Sequence, residues 1–567
     1  MKIYNMVERG TDGFYHPENE EQIIALIKKA HDEKHQIRVR GAAHSIAWAI
    51  YTDPGEGFPN VPNTVSEQSP PKGPNINIML DNFRKMHWLD EEKGIVEAEA
   101  GIHLGKDPLD PTETSMLKES LLYQAHQKGW TLNDLGGITH QTVSGFLMTG
   151  SSGGTLMYSL DENLLAFRIV DGTGHAEWIE KDKHQELFNA AALSLGLFGV
   201  ITKVRLQLTK EFCIYGEEIT YDIGPKCPID LFGDGNKKTP DLATFLKDTP
   251  YSRILWWPQK QVNRIMIWMA IRGERLPVFS PFPYHEFEKK KFNTQLEELA
   301  AAVLFTTLAN KGFVNIWSKL KKDFTQFKTN LSKRRGITSE GKPRKRWFVP
   351  FCADIIFKLF FFPAVLFFSI FPGVLVWMYP HIIDILEPLS GKEGGKSFID
   401  YVWRSLPMDN AADDILMGTE FTELWIPVQY TTKVMQLLKY QFDEKGFEAS
   451  GYYATELYTG IKSELWLSPS YQTDTFRVDF FWYINNPGNP AAKDGYFSQF
   501  WELLREHKIP FRLHWGKFLP EYNYKEWVEY FREQYPRWDD FMKLRAERDP
   551  QNIFLTSYWR RHLFGEE

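Results

Sequence analysis

A chain of 567 residues with 43% hydrophobic and 25% charged residues is globular in composition but long for a single core, so at least two domains are expected. Its net charge of −7 carries no global signal for nucleic-acid binding, and its 3 cysteines, Cys213, Cys227 and Cys352, form neither a metal-ligand spacing nor a disulfide framework. The opening residues lack the apolar core of a secretory signal, which makes a reducing, cytoplasm-facing location the expectation.

Pro17 and Asn19 open an amphipathic run, Glu20 to Lys34, in which Ile23, Ile24, Leu26, Ile27 and Ala30 share one face; this predicts a helix. A strand over 37–40 follows and ends in the small-residue turn Gly41-Ala42-Ala43-His44-Ser45. Successive backbone N–H groups in such a turn can form a concave anion site, because little side-chain bulk blocks a phosphate. Strands are expected over 75–80 and 94–100, a helix over 117–128 and an extended segment at 130–132. Residues 135–154 are dense in Gly, Ser and Thr, which supplies backbone donors without bulk and suits wrapping a pyrophosphate. Strands over 164–172 and 176–179 lead to Ser194–Val204, where Gly196 and Gly199 permit close backbone approach.

After about residue 210 the pattern changes. Short strands such as 253–257 alternate with proline-rich turns. Lys319 to Arg346 is strongly basic, opposed only by Asp323 and Glu340, and an apolar run follows from Ile355 to Tyr379. Four segments then stand out: Thr422-Glu423-Leu424-Trp425-Ile426-Pro427, Ala454-Thr455-Glu456-Leu457-Tyr458, Trp466 to Thr475 (WLSPSYQTDT), and Arg512-Leu513-His514-Trp515-Gly516-Lys517. Asp549 to Phe554 closes the series.

The strand-Gly-x-x-His-Ser turn, the glycine-rich stretch one hundred residues later and the Gly-x-x-Gly-Val-Ile-Thr segment resemble the PCMH-type FAD-binding domain of the vanillyl-alcohol oxidase superfamily. The Trp-Leu-Ser-Pro, His-Trp-Gly-Lys and Asp-Pro-x-x-x-Phe segments resemble, within it, the sugar-1,4-lactone oxidases and alditol oxidases. The resemblance implies an α+β fold: a two-subdomain FAD-binding domain over 1–210, an α+β substrate (cap) domain over 211–500 with the basic and apolar insertion at 319–380, and a C-terminal segment, 501–567, returning to the flavin. It implies FAD held by Arg40, Gly41, Ala42, Ala43, His44 and Ser45, by Gly136, Gly137, Thr142, Ser144, Gly145, Thr149, Gly150 and Gly153, by Gly199 and Ile201, and by His514 and Lys517, with His44 as a covalent attachment point. The implied reaction is oxidation of a CH–OH group, with hydride passing to flavin N5 and Gly136 leaving room for dioxygen as acceptor. Glu456, Lys517 and Tyr458 would be catalytic, and Glu423, Tyr458 and Asp479 would meet the substrate, a small alcohol or lactone.

The departures matter. Tyr458 stands where relatives carry arginine, Asp479 where alditol oxidases carry histidine, Gly137 where they carry serine, and Ser151-Ser152-Gly153 where they often carry Thr-His-Gly. These changes leave a second reading open, a membrane-associated oxidase or dehydrogenase of a sterol- or isoprenoid-like alcohol. Aromatic residues at 15% fit either a large aromatic interior or a membrane-facing surface. The apolar run is long enough to span a bilayer, which takes roughly 20 residues. Pro363 and Pro372 divide it, however, and one crossing would separate the two halves of one site. The expectation is therefore a monotopic hairpin on the cytoplasmic side, held by the basic flank, or else a buried helical hairpin in the cap.

Overall fold

The amphipathic run near the N-terminus forms the helix Glu20–Glu33 in the computed structural model, which describes residues 7–65, 67–273, 372–390, 395–407, 419–483 and 490–567. The basic run at 319–346 and the apolar run as far as 371 lie outside the described residues. Asn19 caps the helix by accepting the Gln22 N–H at 3.0 Å, and Ile23, Leu26, Ile27 and Ala30 are buried. Ile37–Arg40 then pairs in parallel with Ile76–Met79. A five-stranded antiparallel sheet forms the second subunit of this layer, in the order Met86–Asp90, Ile95–Glu99, Gly199–Gln207, Leu164–Asp171, Ala176–Glu180. Glu20 ties the helix to it, accepting from Arg168 at 2.7 Å and from Thr202 at 2.6 Å.

Two local expectations change. Residues 117–128 do not make one helix: the Ser120 side chain accepts from Tyr123 N–H and starts a fresh helix, Leu121–His126, after a 3-10 turn, Leu117–Glu119. Within 135–154 lies a helix, Val143–Thr149. The Thr142 hydroxyl caps its Gly145 N–H at 3.3 Å, and Gly150 ends it in the left-handed region at φ 71°.

The rest of the chain is built on an eight-stranded antiparallel sheet. Its order is Lys396–Tyr401, Cys213–Asp222, Arg264–Gly273, Tyr251–Trp257, Thr455–Gly460, Thr475–Tyr483, Thr419–Pro427, Arg512–Leu513. Successive strand residues alternate between faces. Ile254, Trp256, Leu457, Val478 and Phe480 are buried on one face, against the helices Thr431–Lys445 and Pro490–Glu506: Trp256 packs on Phe442 at 5.4 Å, and Phe480 stacks on Phe500 at 3.5 Å. The intervening residues, Arg253, Glu456, Tyr458, Arg477, Asp479 and Glu423, are directed to the other face, toward the glycine-rich stretch.

The C-terminal segment locks the two halves together. Asp549 is fully buried and accepts the N–H groups of Ile553 and Phe554 at 3.0 and 2.9 Å. That turn presents the Ile553 carbonyl to Ile37 N–H at 2.7 Å and the Phe554 carbonyl to the Arg38 guanidinium at 3.2 Å. The Trp515 indole donates to the Leu467 carbonyl at 3.0 Å and Arg512 to that of Tyr471 at 2.8 Å, so the Trp-Leu-Ser-Pro segment braces the His-Trp-Gly-Lys segment.

Among the described residues, no helix is long and apolar enough to cross a membrane. Pro372 is the first described residue of the helix Pro372–Leu386. Tyr379 and Ile383 of that helix are buried, while Trp377 is 67% exposed.

Candidate active site

The turn after Ile37–Arg40 is shaped by its small residues. Ala43 adopts φ 60°, and a Cβ on Gly41 would fall 2.7 Å from Thr142 Oγ1, so the turn sits directly on the cap of the 143–149 helix. The turn forms one wall of a cavity of about 1130 Å³, mouth included, lined by Arg40, Gly41, Ala42, Ala43, His44, Ser45, Thr142, Ser144, Gly145, Thr149, Gly199 and Ile201. A second cavity, of about 1510 Å³, holds Gly136, Gly137, Gly153, Glu423, Glu456, Tyr458, Asp479, His514 and Lys517. His44, Ser45, Gln141 and Thr149 line both, so the two make one elongated trough. Its walls at the first end are small side chains and backbone, the lining a dinucleotide needs. FAD fits this donor set. Gly150 reaches neither cavity; its left-handed conformation ends the helix, and a Cβ there would lie 2.6 Å from Leu193 Cδ1.

The sheet register builds the floor of the second cavity. Glu456 is opposite Asp479, which is opposite Glu423, and the His514 N–H donates to the Glu423 carbonyl at 3.3 Å. Beside this row Trp268 is opposite Arg253, and Tyr458 is opposite Arg477, which is opposite Trp425; Arg477 lies 4.3 Å from the Trp425 ring and 5.0 Å from that of Tyr458. Arg477 also donates to Glu423 at 3.1 Å and to the Ser152 carbonyl at 3.0 Å, joining the sheet to the glycine-rich stretch. The Tyr458 hydroxyl donates to Glu456 Oε2 at 2.5 Å.

Three buried carboxyls in register cannot all ionise readily. Burial, and then the neighbouring Glu423 charge, push Asp479 well above the usual carboxylate range. Burial also raises Glu456, against the lowering pull of the Tyr458 hydrogen bond and of Arg253 and Arg477. Glu423 goes the other way: burial pushes it up, but the fields of His514, Arg477 and Lys517 more than offset that and hold it low. His514 itself is pushed down to about 4 by burial, so at neutral pH the cations facing Glu423 are Arg477 and Lys517. Gly516 N–H donates to His514 Nδ1 at 3.1 Å, which places the imidazole proton on Nε2. Above the floor stand Val65, Leu406, Phe421, Tyr453 and Phe481, an apolar and aromatic wall.

Lys517 closes the junction. Its ammonium donates to the His44 carbonyl at 2.9 Å and lies 4.0 Å from the Phe421 ring centroid. On the other side of His44, its ring nitrogen, a carboxylate oxygen of Asp107 and a ring nitrogen of His140 lie within 4.8 Å of one another, all three residues buried. Burial raises the Asp107 pKa, but His103 and His44 overcome this and keep it below the usual range. His44 therefore sits beside a buried carboxylate. Under the glycine-rich stretch, Asp134 accepts the Gly153 N–H at 2.9 Å, and burial pushes it up to about 7.

The sequence profile of the D-arabinono-1,4-lactone oxidase family matches residues 408–562, the part that supplies this floor. The chain is 20% identical over 554 residues to L-gulonolactone oxidase of Scyliorhinus torazame, an alignment covering 97% of this chain and 95% of that one. It is 25% identical over 269 residues to D-arabinono-1,4-lactone oxidase of Kluyveromyces lactis, covering 47% of this chain and 42% of that one. The chain is an FAD-dependent oxidoreductase resembling D-arabinono-1,4-lactone oxidases. Among solved structures, cholesterol oxidase from Brevibacterium sterolicum superposes with a TM-score of 0.61 at 12% identity, covering 97% of this chain and 94% of that one, a likeness of mixed α/β fold.

For such an oxidoreductase, sequence reasoning overlooked the two buried arginines of the floor, Arg253 and Arg477. The signal was present in each case: a single cation among apolar and aromatic residues of a strand, which burial makes costly unless a partner or ligand meets it. Gln141, which lines both cavities and donates to Ser151 Oγ at 3.0 Å, was also overlooked.

Proposed function

We propose that this protein oxidises a CH–OH group of a small polyhydroxylated or lactone-bearing substrate bound over the 251–257, 455–460 and 475–483 strands. The observation that carries this reading is Glu456. It is a buried carboxyl with a raised pKa, oriented by Tyr458, in the cavity that continues the flavin trough past His44 and Ser45. Bound FAD would supply the hydride acceptor. Glu456 takes the hydroxyl proton, and its raised pKa makes it a stronger base than an exposed glutamate. Tyr458 fixes the carboxyl rotamer. Lys517 places positive charge at the His44 junction, and Arg477 with Glu423 keeps the floor rigid. Gly136, which brings no side-chain bulk to the lining of the second cavity, supports dioxygen as the electron acceptor. Anaerobic mixing with hydroxy-lactones, polyols and lipid alcohols is expected to bleach the flavin with the first two classes, and readmitted air to restore it with hydrogen peroxide as product. Bleaching by sterol- or isoprenoid-like alcohols alone would favour the second reading, which the aromatic wall of the cavity supports.

FAD is covalently attached through His44 in this reading, supported by its position at the junction and by the buried Asp107 beside it. On a denaturing gel the wild-type band is expected to fluoresce and the His44→Ala band to stay dark. A dark wild-type band would remove the covalent bond from the account and leave FAD binding in place.

The protein also rests on an anionic membrane surface, on its cytoplasmic side, through residues 320–380. The basic and apolar sequence of that segment and the exposure of Trp377 support this. Each basic residue near such a surface contributes about 1 kcal/mol. Replacing Lys333, Arg334 and Arg335 by Glu is expected to abolish co-flotation with anionic vesicles, and unchanged flotation would refute the proposal.

A further inference from the structure

We propose that Arg253 is a catalytic residue of this site: from the strand beside Glu456, its guanidinium holds the substrate's reacting oxygen and stabilises the negative charge that grows there as its proton leaves. The inference rests on the oxidation proposed above and assigns the charge-stabilising group within it.

Position comes from register. The 251–257 strand runs antiparallel to 455–460 with Ile254 opposite Leu457 and Leu255 opposite Glu456; the ladder ends there, and the Ser252 N–H goes to the Gly154 carbonyl at 2.9 Å. Arg253 is two residues from Leu255 and so on its face, and Arg253, Glu456 and Tyr458 line one cavity. Arg253 thus brings a cation to the wall that carries Glu456 and Tyr458. On its other side Arg253 is opposite Trp268, with its guanidinium carbon 5.2 Å from that ring's centroid, and the side chain is buried.

Three cations line this cavity. Arg477 bonds Glu423 and the Ser152 carbonyl, with Asp479 at 3.7 Å; Lys517 bonds the His44 carbonyl. Arg253, which has further contacts of its own, acts on Glu456 and Tyr458.

Charge balance gives that placement a role. The substrate O–H bond breaks and its proton goes to the Glu456 carboxylate, which becomes neutral. The oxygen keeps the bonding pair. The C–H bond breaks as an oxygen pair closes the C=O bond, and its hydrogen and electron pair would pass to FAD, the hydride acceptor when bound. Negative charge thus moves from Glu456 to the substrate oxygen beside a fixed cation, an interaction stronger in the transition state than before it.

The test is anaerobic flavin reduction by a hydroxy-lactone or polyol, with bound-FAD absorbance as the folding control. Arg253→Met is expected to slow reduction about 10²–10³-fold. It should also shift the acid limb of the pH profile upward, because burial and the Glu423 charge then raise Glu456 against Tyr458 and Arg477, with Arg253's lowering influence gone. Arg253→Lys should fall between. The exchange Arg253→Tyr with Tyr458→Arg returns a guanidinium to the same wall and should recover at least tenfold over Arg253→Tyr alone; it decides the matter if Arg253→Met fails to hold FAD. Wild-type kinetics in Arg253→Met would overturn this inference alone. So would a slowed variant with an unshifted profile, or an exchange that recovers nothing. A wild-type flavin that no alcohol reduces would overturn the proposed function and this inference together.

Discussion

Glu456→Gln is expected to slow anaerobic flavin reduction by about 10²–10⁴-fold, the range typical for removing a positioned acid–base group. The substitution is nearly isosteric. The Gln carbonyl can still accept the Tyr458 hydroxyl that now bonds Glu456 Oε2 at 2.5 Å, so the flavin spectrum and the melting temperature should change little. What disappears is proton acceptance. The sign of the pH dependence follows from the cause of the shift. Burial is the largest influence on Glu456 and raises its pKa above the ordinary 4.5, so the ionised form is lost at a higher pH than for an exposed glutamate. Wild-type reduction should therefore fall as pH drops through that raised value, and the residual rate of the Gln variant should be flat over the same interval. Equal rates in the two proteins would show that the proton leaves by another route.

The flavin end of the site was legible because its determinants are local. Gly41 to Ser45 combine a glycine, two alanines and a left-handed Ala43 in five consecutive residues, and no distant partner is needed to read the turn. The 143–149 helix was less legible because Ser144, Gly145 and Thr149 are weak helix formers. The Thr142 cap and the Gly150 ending, together with burial of Val143, Phe146 and Leu147, outweigh that propensity. Asp549 was visible as a motif residue, but its reason was not: it presents the Phe554 carbonyl to Arg38, more than five hundred residues earlier. The substrate end was half legible. Glu456 and Lys517 stood out by motif, whereas Arg253 and Arg477 acquire meaning only from a register that aligns strands two hundred residues apart. No local window contains that register. The absence of arginine at 458 consequently read as a lost contact, when the Arg253 guanidinium lines the same cavity.

Arg477→Met is expected to cost about 3–5 kcal/mol of stability, the range for removing one partner of a buried ion pair. Met keeps the length and apolar stem of the side chain, and it can still lie over Trp425 and Tyr458, so the loss isolates charge and hydrogen bonding. Glu423 loses its counter-charge at 3.1 Å, Asp479 loses its guanidinium neighbour at 3.7 Å, and the Ser152 carbonyl loses its donor. In the wild type burial raises Glu423, but His514, Arg477 and Lys517 hold it below 4.5. A group lowered in the folded state contributes stability above its unfolded pKa and loses it as pH falls through the folded one. Without Arg477 one of these lowering influences is gone, so the folded pKa of Glu423 moves up and the stability it contributes above its unfolded pKa shrinks. The variant therefore loses most, relative to wild type, where Glu423 is ionised and least in acid, where it is protonated. Urea denaturation at pH 5 and pH 7.5 should therefore show a smaller gap between variant and wild type at the lower pH. Equal gaps at both would mean that the guanidinium's hydrogen bond to the Ser152 carbonyl, rather than its charge beside Glu423, holds the floor together.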